Sequence, residues 1–228
     1  MKRLNGFFLV VLMLAVIGNK SITTAQAKSM QALKHGDAID PIEYQVFMPL
    51  LFNTASDQPT EEEQIEYLLG TQINGNAEQV VGTIVENLFV SPVVQQPESD
   101  PTWISNTENT LTSLQTARLS GDIGLAAYNH QAGVKFFDLA LGQTILIVMG
   151  DGAFLLYQID SILQFQAIDP GNPESAYLHP TTSEILTSTQ LEQALYDGSG
   201  RLVFQTDITK DGIAQWGILV VTAVSITD

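Results

Sequence analysis

The chain reads as an all-β domain, a barrel or a sandwich, accompanied by one or two short helices. Three observations predict this. Runs rich in β-branched and aromatic residues recur at short spacing, separated by clusters of Gly, Pro, Asn and Asp. The stretch "QTILIVMGDGAFLLYQIDSILQFQAI" sets two long β-rich arms about Gly150-Asp151-Gly152, the clearest hairpin in the sequence. Only two stretches carry both a helix start and a helix stop. With 228 residues, 45% hydrophobic and only 15% charged, the chain has enough apolar material for one medium domain and is not a disordered composition.

The N-terminus comes first. Lys2 and Arg3 precede a charge-free apolar run from Gly6 to Gly18, and Ala25-Gln26-Ala27 follows, the three-part layout of a secretory signal. The run is short for a spanning helix, so cleavage after Ala27 is expected; left uncleaved, it would anchor the chain to a membrane. Either outcome places the folded part outside the cytoplasm. Residues 28–74 read as a leader, with an apolar patch at 44–52, "YQVFMPLLF", and a short helix at 60–69. Thr60 and Glu63 form a capping box there, three acids fill the first turn, Ile65, Leu68 and Leu69 make the apolar stripe, and Gly70 is the stop.

The barrel or sandwich is expected over 75–228. "VVGTIVENLFVSPVV" holds two strands about a Glu-Asn break, and "QQPESDP" is a loop. "TARLSGDIGLAAYNH" leads into another apolar strand, and the long hairpin follows. "DPGNPES" is a loop by composition. "STQLEQALYDG" is a two-turn helix with Thr189 and Glu192 as its box, Leu191, Ala194 and Leu195 on one face, and Gly198 past its end. Two last strands span Leu202 to Thr206 and Trp216 to Val224, with "DITKDGIAQ" between them. No repeat is visible.

Charge and cysteine content exclude whole classes of function. Loss of residues 1–27 would leave 6 bases against 25 acids, a net charge of −19, which repels nucleic acid and anionic lipid. The absence of any cysteine removes disulfides, thiolate catalysis and cysteine-ligated zinc.

Several words, in order, carry a resemblance: "VVQQPE", "GDIGLAAYNHQAGVKFFDL", "GQTILIVMGDGAFLLYQI", "FQAIDPGNPES", "LVFQTDITKDG" and "WGILVVTA". Over roughly residues 75–226 the chain resembles the sortase family. The resemblance implies a sortase-like closed β-barrel of about eight strands, located in the cell envelope or secreted. Sortases cleave a sorting-signal peptide with a cysteine, hold the acyl group as a thioester and pass it to an amine, with a histidine as acid or base and an arginine at the oxyanion. The family's Thr-Cys pair falls on Thr206-Asp207, its Trp-Gly-Arg on Trp216-Gly217-Ile218, and its histidine before Asn on Tyr128. The three catalytic positions are therefore Tyr128, Asp207 and Ile218, and all three are substituted. A carboxylate is a poor nucleophile toward an amide and adds negative charge beside a developing oxyanion, so no catalytic set is expected.

What the resemblance leaves is a former substrate groove that binds a peptide or surface-protein segment, with Tyr128, His130, Thr206, Asp207 and Trp216 as candidate binding residues. Aromatic walls at Tyr128 and Trp216 suit an extended peptide; the plainer reading makes Trp216 a strand-packing residue. His130, two residues after Tyr128, would share its side of a strand and is the candidate for a rearranged transpeptidase or hydrolase site. A set of Thr206, His130 and Asp207 is disfavoured because strand neighbours point to opposite faces. A third reading makes the chain a structural envelope protein that makes its contacts through 44–52. "DITKDG", with Asp207 and Asp211, lacks the alternating oxygen ligands of a calcium loop and reads as a polar turn. No metal site or cofactor is expected, beyond weak calcium binding by paired distant acids as in some sortases.

Overall fold

The computed structural model describes residues 59–226; the predicted export signal and the 44–52 patch lie outside them. The first helix, α1 (Glu61–Gln72), is capped as the sequence indicates. Thr60 Oγ1 accepts from Glu63 N at 3.3 Å, and the Glu63 carboxylate accepts from Thr60 N at 2.8 Å. It runs past Gly70 to Gln72, two residues beyond the expected stop.

The two expected strands, β1 (Val80–Val85) and β2 (Phe89–Gln95), pair as a hairpin about Glu86-Asn87-Leu88. Two elements follow that the sequence reading does not contain: β3 (Leu111–Ser113) and a one-and-a-half-turn helix, α2 (Gln115–Ser120), where a strand approach was expected. Then come β4 (Ile123–Ala126), a 3-10 helix (Ala132–Asp138), and the long hairpin of β5 (Thr144–Met149) and β6 (Phe154–Ala167). The two-residue strands β7 (Tyr177–Leu178) and β8 (Ile185–Leu186) are also new. Helix α3 (Ser188–Leu195) is capped by Thr187 with Gln190, not by Thr189 with Glu192, and Ala194 faces solvent while Leu191 and Leu195 are buried. The last two strands are longer than expected. β9 (Leu202–Lys210) and β10 (Ile213–Ser225) join in a tight hairpin, so most of "DITKDGIAQ" is strand and Asp207 lies inside β9, not at its end.

The strands order as β10-β9-β4-β3-β2-β1-β5-β6, and β6 pairs back onto β10 from Gln166↔Gly217 to Tyr157↔Ser225. This closes an eight-stranded barrel and leaves β7 and β8 as an appendage on β6. Two pairs, β2–β3 and β4–β9, are parallel; the other pairings are antiparallel.

Alternation along the strands divides the apolar residues into an interior and two outer clusters. Leu125, Ile145, Ile147, Leu202, Phe204, Leu219 and Val221 fill the interior, with Phe136 of the 3-10 helix inserted at one end, its ring 5.0 Å from that of Phe204. Leu68 of α1 covers Val81, Ile84, Val90 and Val148 on the outside of β1, β2 and β5. Gly82 makes that approach: a β-carbon there would run into the Leu68 side chain. Leu191, Leu195 and Tyr196 cover Val203, Val220 and Phe165 on the outside of β9, β10 and β6.

Candidate functional site

The site is built where β4, β9 and β10 run side by side. In β9, Phe204, Thr206 and Ile208 are buried toward the interior, so Gln205, Asp207 and Thr209 face outward. Asp207 stands directly opposite Ile218 of β10, and Ile218 is in turn opposite Phe165 of β6. On the other side, parallel pairing matches Ala126 to Gln205 and is extended by Ala127 N donating to Gln205 O. Asp207, Ile218 and Phe165 therefore lie in one row across β9, β10 and β6. Tyr128, two residues past the end of β4, borders this row through its neighbour Asn129, whose N–H reaches the Asp207 carboxylate.

Asp207 is half-buried and its Oδ1 accepts from Asn129 N at 3.2 Å, while Asn129 Nδ2 donates to Thr209 Oγ1 at 3.1 Å. The carboxylate thus fastens the loop after β4 onto β9. The backbone of that loop is a turn, with Gln131 N and Gly133 N both donating to Tyr128 O. His130 sits in this turn, not in a strand; it is exposed and stacks on Tyr128, ring centroids 5.4 Å apart and planes 26° from parallel. Among the described residues no hydrogen bond joins His130 to Asp207. Thr206 points the other way, 4% exposed, with Oγ1 buried against the Gly133 backbone and without a partner. Trp216 is half-buried against the interior cluster, and Lys210 Nζ lies 4.3 Å from its ring centroid.

The row is electrostatically one-sided. The described residues hold four Lys or Arg, and the structure assigns none to Asp207: Lys210 covers Trp216, Arg201 Nε donates to Ser199 Oγ, Lys135 Nζ bonds Asn109, and Arg118 borders a separate concavity. Ile218 packs into the outer apolar cluster. Tyr128, Asp207 and Ile218 themselves carry no thiol, imidazole or guanidinium. The row offers the partly buried Ile218 beside the polar Asp207 and Gln205, with the exposed Tyr128 nearby, while Phe165 lies buried beneath the outer cluster. His179 meets Phe165 edge-on at 5.2 Å on the far side.

Two features escaped the sequence reading. Gln205 Nε2 donates to Tyr196 Oη at 2.7 Å, tying α3 to the row; burial, then the charges of Glu192 and Asp122, holds the Tyr196 phenol well above its ordinary value. Asp122, 3% exposed, accepts from the backbone N–H of Gly198 (2.8 Å), Gly200 (2.8 Å) and Arg201 (3.0 Å) and from Ser120 Oγ (3.3 Å). The concavity, of about 560 Å³, lies between α2 and the edges of β1 and β2 and includes none of the row residues. Among the described residues no three His, Asp or Glu gather as a metal ion would require, and no helix is long and apolar enough to cross a membrane.

No protein-family model matches the chain, and no curated protein sequence matches it. Solved structures similar to it are sortases. Sortase A of Listeria monocytogenes is 11% identical, with 65% of this chain and 88% of that one covered and a TM-score of 0.40. Sortase C1 of Streptococcus agalactiae is 14% identical, with 76% and 80% covered and a TM-score of 0.42. Sortase C-1 of Actinomyces oris is 14% identical, with 76% and 84% covered and a TM-score of 0.43. The closed barrel rests on the strand pairing of this chain itself, not on that similarity.

Proposed function

We propose that the chain is a sortase-like protein that has lost sortase chemistry and acts in the cell envelope by binding an extended peptide or surface-protein segment along the outer face of β9 and β10. One observation carries the reading. The positions onto which the sortase pattern maps come from three distant segments and come together: Asp207 pairs with Ile218 across β9 and β10, and Asn129, next to Tyr128, donates its N–H to the Asp207 carboxylate. Shape and side-chain pockets for a ligand do not require a nucleophile, so recognition survives its loss.

The test is a titration of the ¹⁵N-labelled protein with a panel of sorting-signal and envelope-protein peptides. A true ligand moves the amide signals of Ala126, Asn129, Asp207 and Ile218. Ile218→Glu, which places a second carboxylate against Asp207, weakens binding by about tenfold or more. Asp207→Asn keeps an acceptor for Asn129 N and leaves affinity within about threefold. Peptides that bind with shifts confined to another face, or a panel with no binder at all, would refute the proposal.

A further inference from the structure

At the end of the barrel plugged by the 3-10 helix, two side chains and a backbone carbonyl converge on one amide. Asn109 sits in left-handed backbone (φ 55), a conformation that Asn tolerates, and this turns its side chain toward β2. Its Nδ2 donates to Val90 O at 2.8 Å. Its Oδ1 accepts from Ser91 Oγ at 3.1 Å and from Lys135 Nζ at 2.7 Å. Ser91 is fully buried, Phe89 is 4% exposed, and Lys135 Nζ lies 5.8 Å from the Phe89 ring centroid. The amide is thus immobilised, its oxygen polarised by a hydroxyl, and an amine is held against it in a half-buried setting.

We propose that Lys135 and Asn109 form a covalent amide cross-link within the folded chain. The neutral Nζ attacks Asn109 Cγ, and charge builds on Oδ1, where the Ser91 hydroxyl already donates. The Cγ–Nδ2 bond then breaks, a proton from Nζ passes to Nδ2, and ammonia leaves. Starting from the ammonium form of Lys135, the products are a secondary amide and an ammonium ion; no oxidant, metal or co-reactant enters. Burial lowers the Lys135 pKa and so favours the neutral amine, against the opposing charge of Glu108. Glu108, next to Asn109 in sequence, is the carboxylate available to carry the proton from Nζ to Nδ2. The bond would join residues 26 apart, pinning the 3-10 helix to the segment that leads into β3.

Mass spectrometry of the purified, folded full chain, then denatured and digested with trypsin, tests this. The expected result is a protein lighter than its sequence by the mass of ammonia, about 17 Da, and a branched peptide containing both Asn109 and Lys135, with no cleavage after Lys135. Lys135→Arg and Asn109→Ala should each restore the full mass. A wild-type digest with ordinary cleavage after Lys135 and linear peptides of full mass overturns the proposal. Because the decisive reading is on the wild-type protein, it does not depend on either variant folding. Glu108→Gln, at an exposed position, should leave a linear fraction, and complete cross-linking in that variant would overturn the proton-carrier role.

Discussion

Asp122→Ala should be among the most damaging single substitutions in the described chain. The carboxylate is 3% exposed and accepts three backbone N–H groups from the segment between α3 and β9, plus the Ser120 hydroxyl. Hydrogen bonds to a charged acceptor contribute about 1.5–3 kcal/mol each, and a buried donor left unpaired costs about 1–3 kcal/mol. Allowing for non-additivity within one cluster, truncation to Ala should cost about 4–6 kcal/mol, a large share of a typical 5–15 kcal/mol stability. Asp122→Asn should be milder, about 2–3 kcal/mol, because one oxygen still serves Gly200 N and Arg201 N while the new NH₂ opposes the Gly198 N–H. Equilibrium urea unfolding is the assay. With a slope of about 1–3 kcal/mol per molar, the Ala variant's midpoint should fall by about 1.3 M or more. An Ala variant within about 1 kcal/mol of wild type, or an Asn variant as unstable as Ala, would show that water or loop rearrangement satisfies these N–H groups and that the accounting is wrong.

Two further outcomes follow from the same geometry. Tyr196 has a raised pKa, so its stabilising effect is complete below the ordinary tyrosine value of 10.0 and declines as pH rises above it; stability should fall on alkaline titration, and Tyr196→Phe should flatten that fall while costing about 1–2 kcal/mol at neutral pH through the lost Gln205 bond. Urea unfolding at pH 8 and pH 11 for both proteins measures it, and parallel losses would refute the assignment. Gly133→Ala would drive a β-carbon into Thr206 Oγ1, to 2.6 Å from Ala127 O and to 2.7 Å from Tyr128 O, so it should cost about 2–3 kcal/mol and shift the amide signals of 128–131 even where the protein still folds.

The long strands were legible because their pattern is local. The β5–β6 hairpin announces its turn with Gly150-Asp151-Gly152, and α1 announces its start with Thr60 and Glu63. The elements missed are those that tertiary pairing creates. β3 is a strand because Leu111 lies beside Val93 and Thr112 beside Ala126; its own sequence, "LTS", carries no period. At α3 two box patterns overlap by two residues, and burial of Leu191 and Leu195 selects the one at Thr187. β9 runs on past Thr206 because alternation continues through the carboxylate: Thr206 and Ile208 in, Asp207 and Thr209 out. The motif words pointed to Tyr128, Asp207 and Ile218, but the approach of the Tyr128 segment to Asp207 depends on a parallel β4–β9 pairing between segments 79 residues apart, and periodicity within either segment is silent about its partner. Asp122, within "SGDIG", looks like any turn residue until the chain returns at Gly198.

That parallel seam also bears on how the chain reaches its fold. The β1–β2, β5–β6 and β9–β10 ladders join neighbours in sequence and can close early, whereas the β4–β9 seam and the β6–β10 closure must wait until long intervening loops have been brought together. Asp122 acts at this late junction, gathering the N–H groups of 198, 200 and 201 at the point where β4 and β9 begin to pair. Its weight should therefore fall mainly on the rate of unfolding, because the barrel opens first where its last seam was sewn.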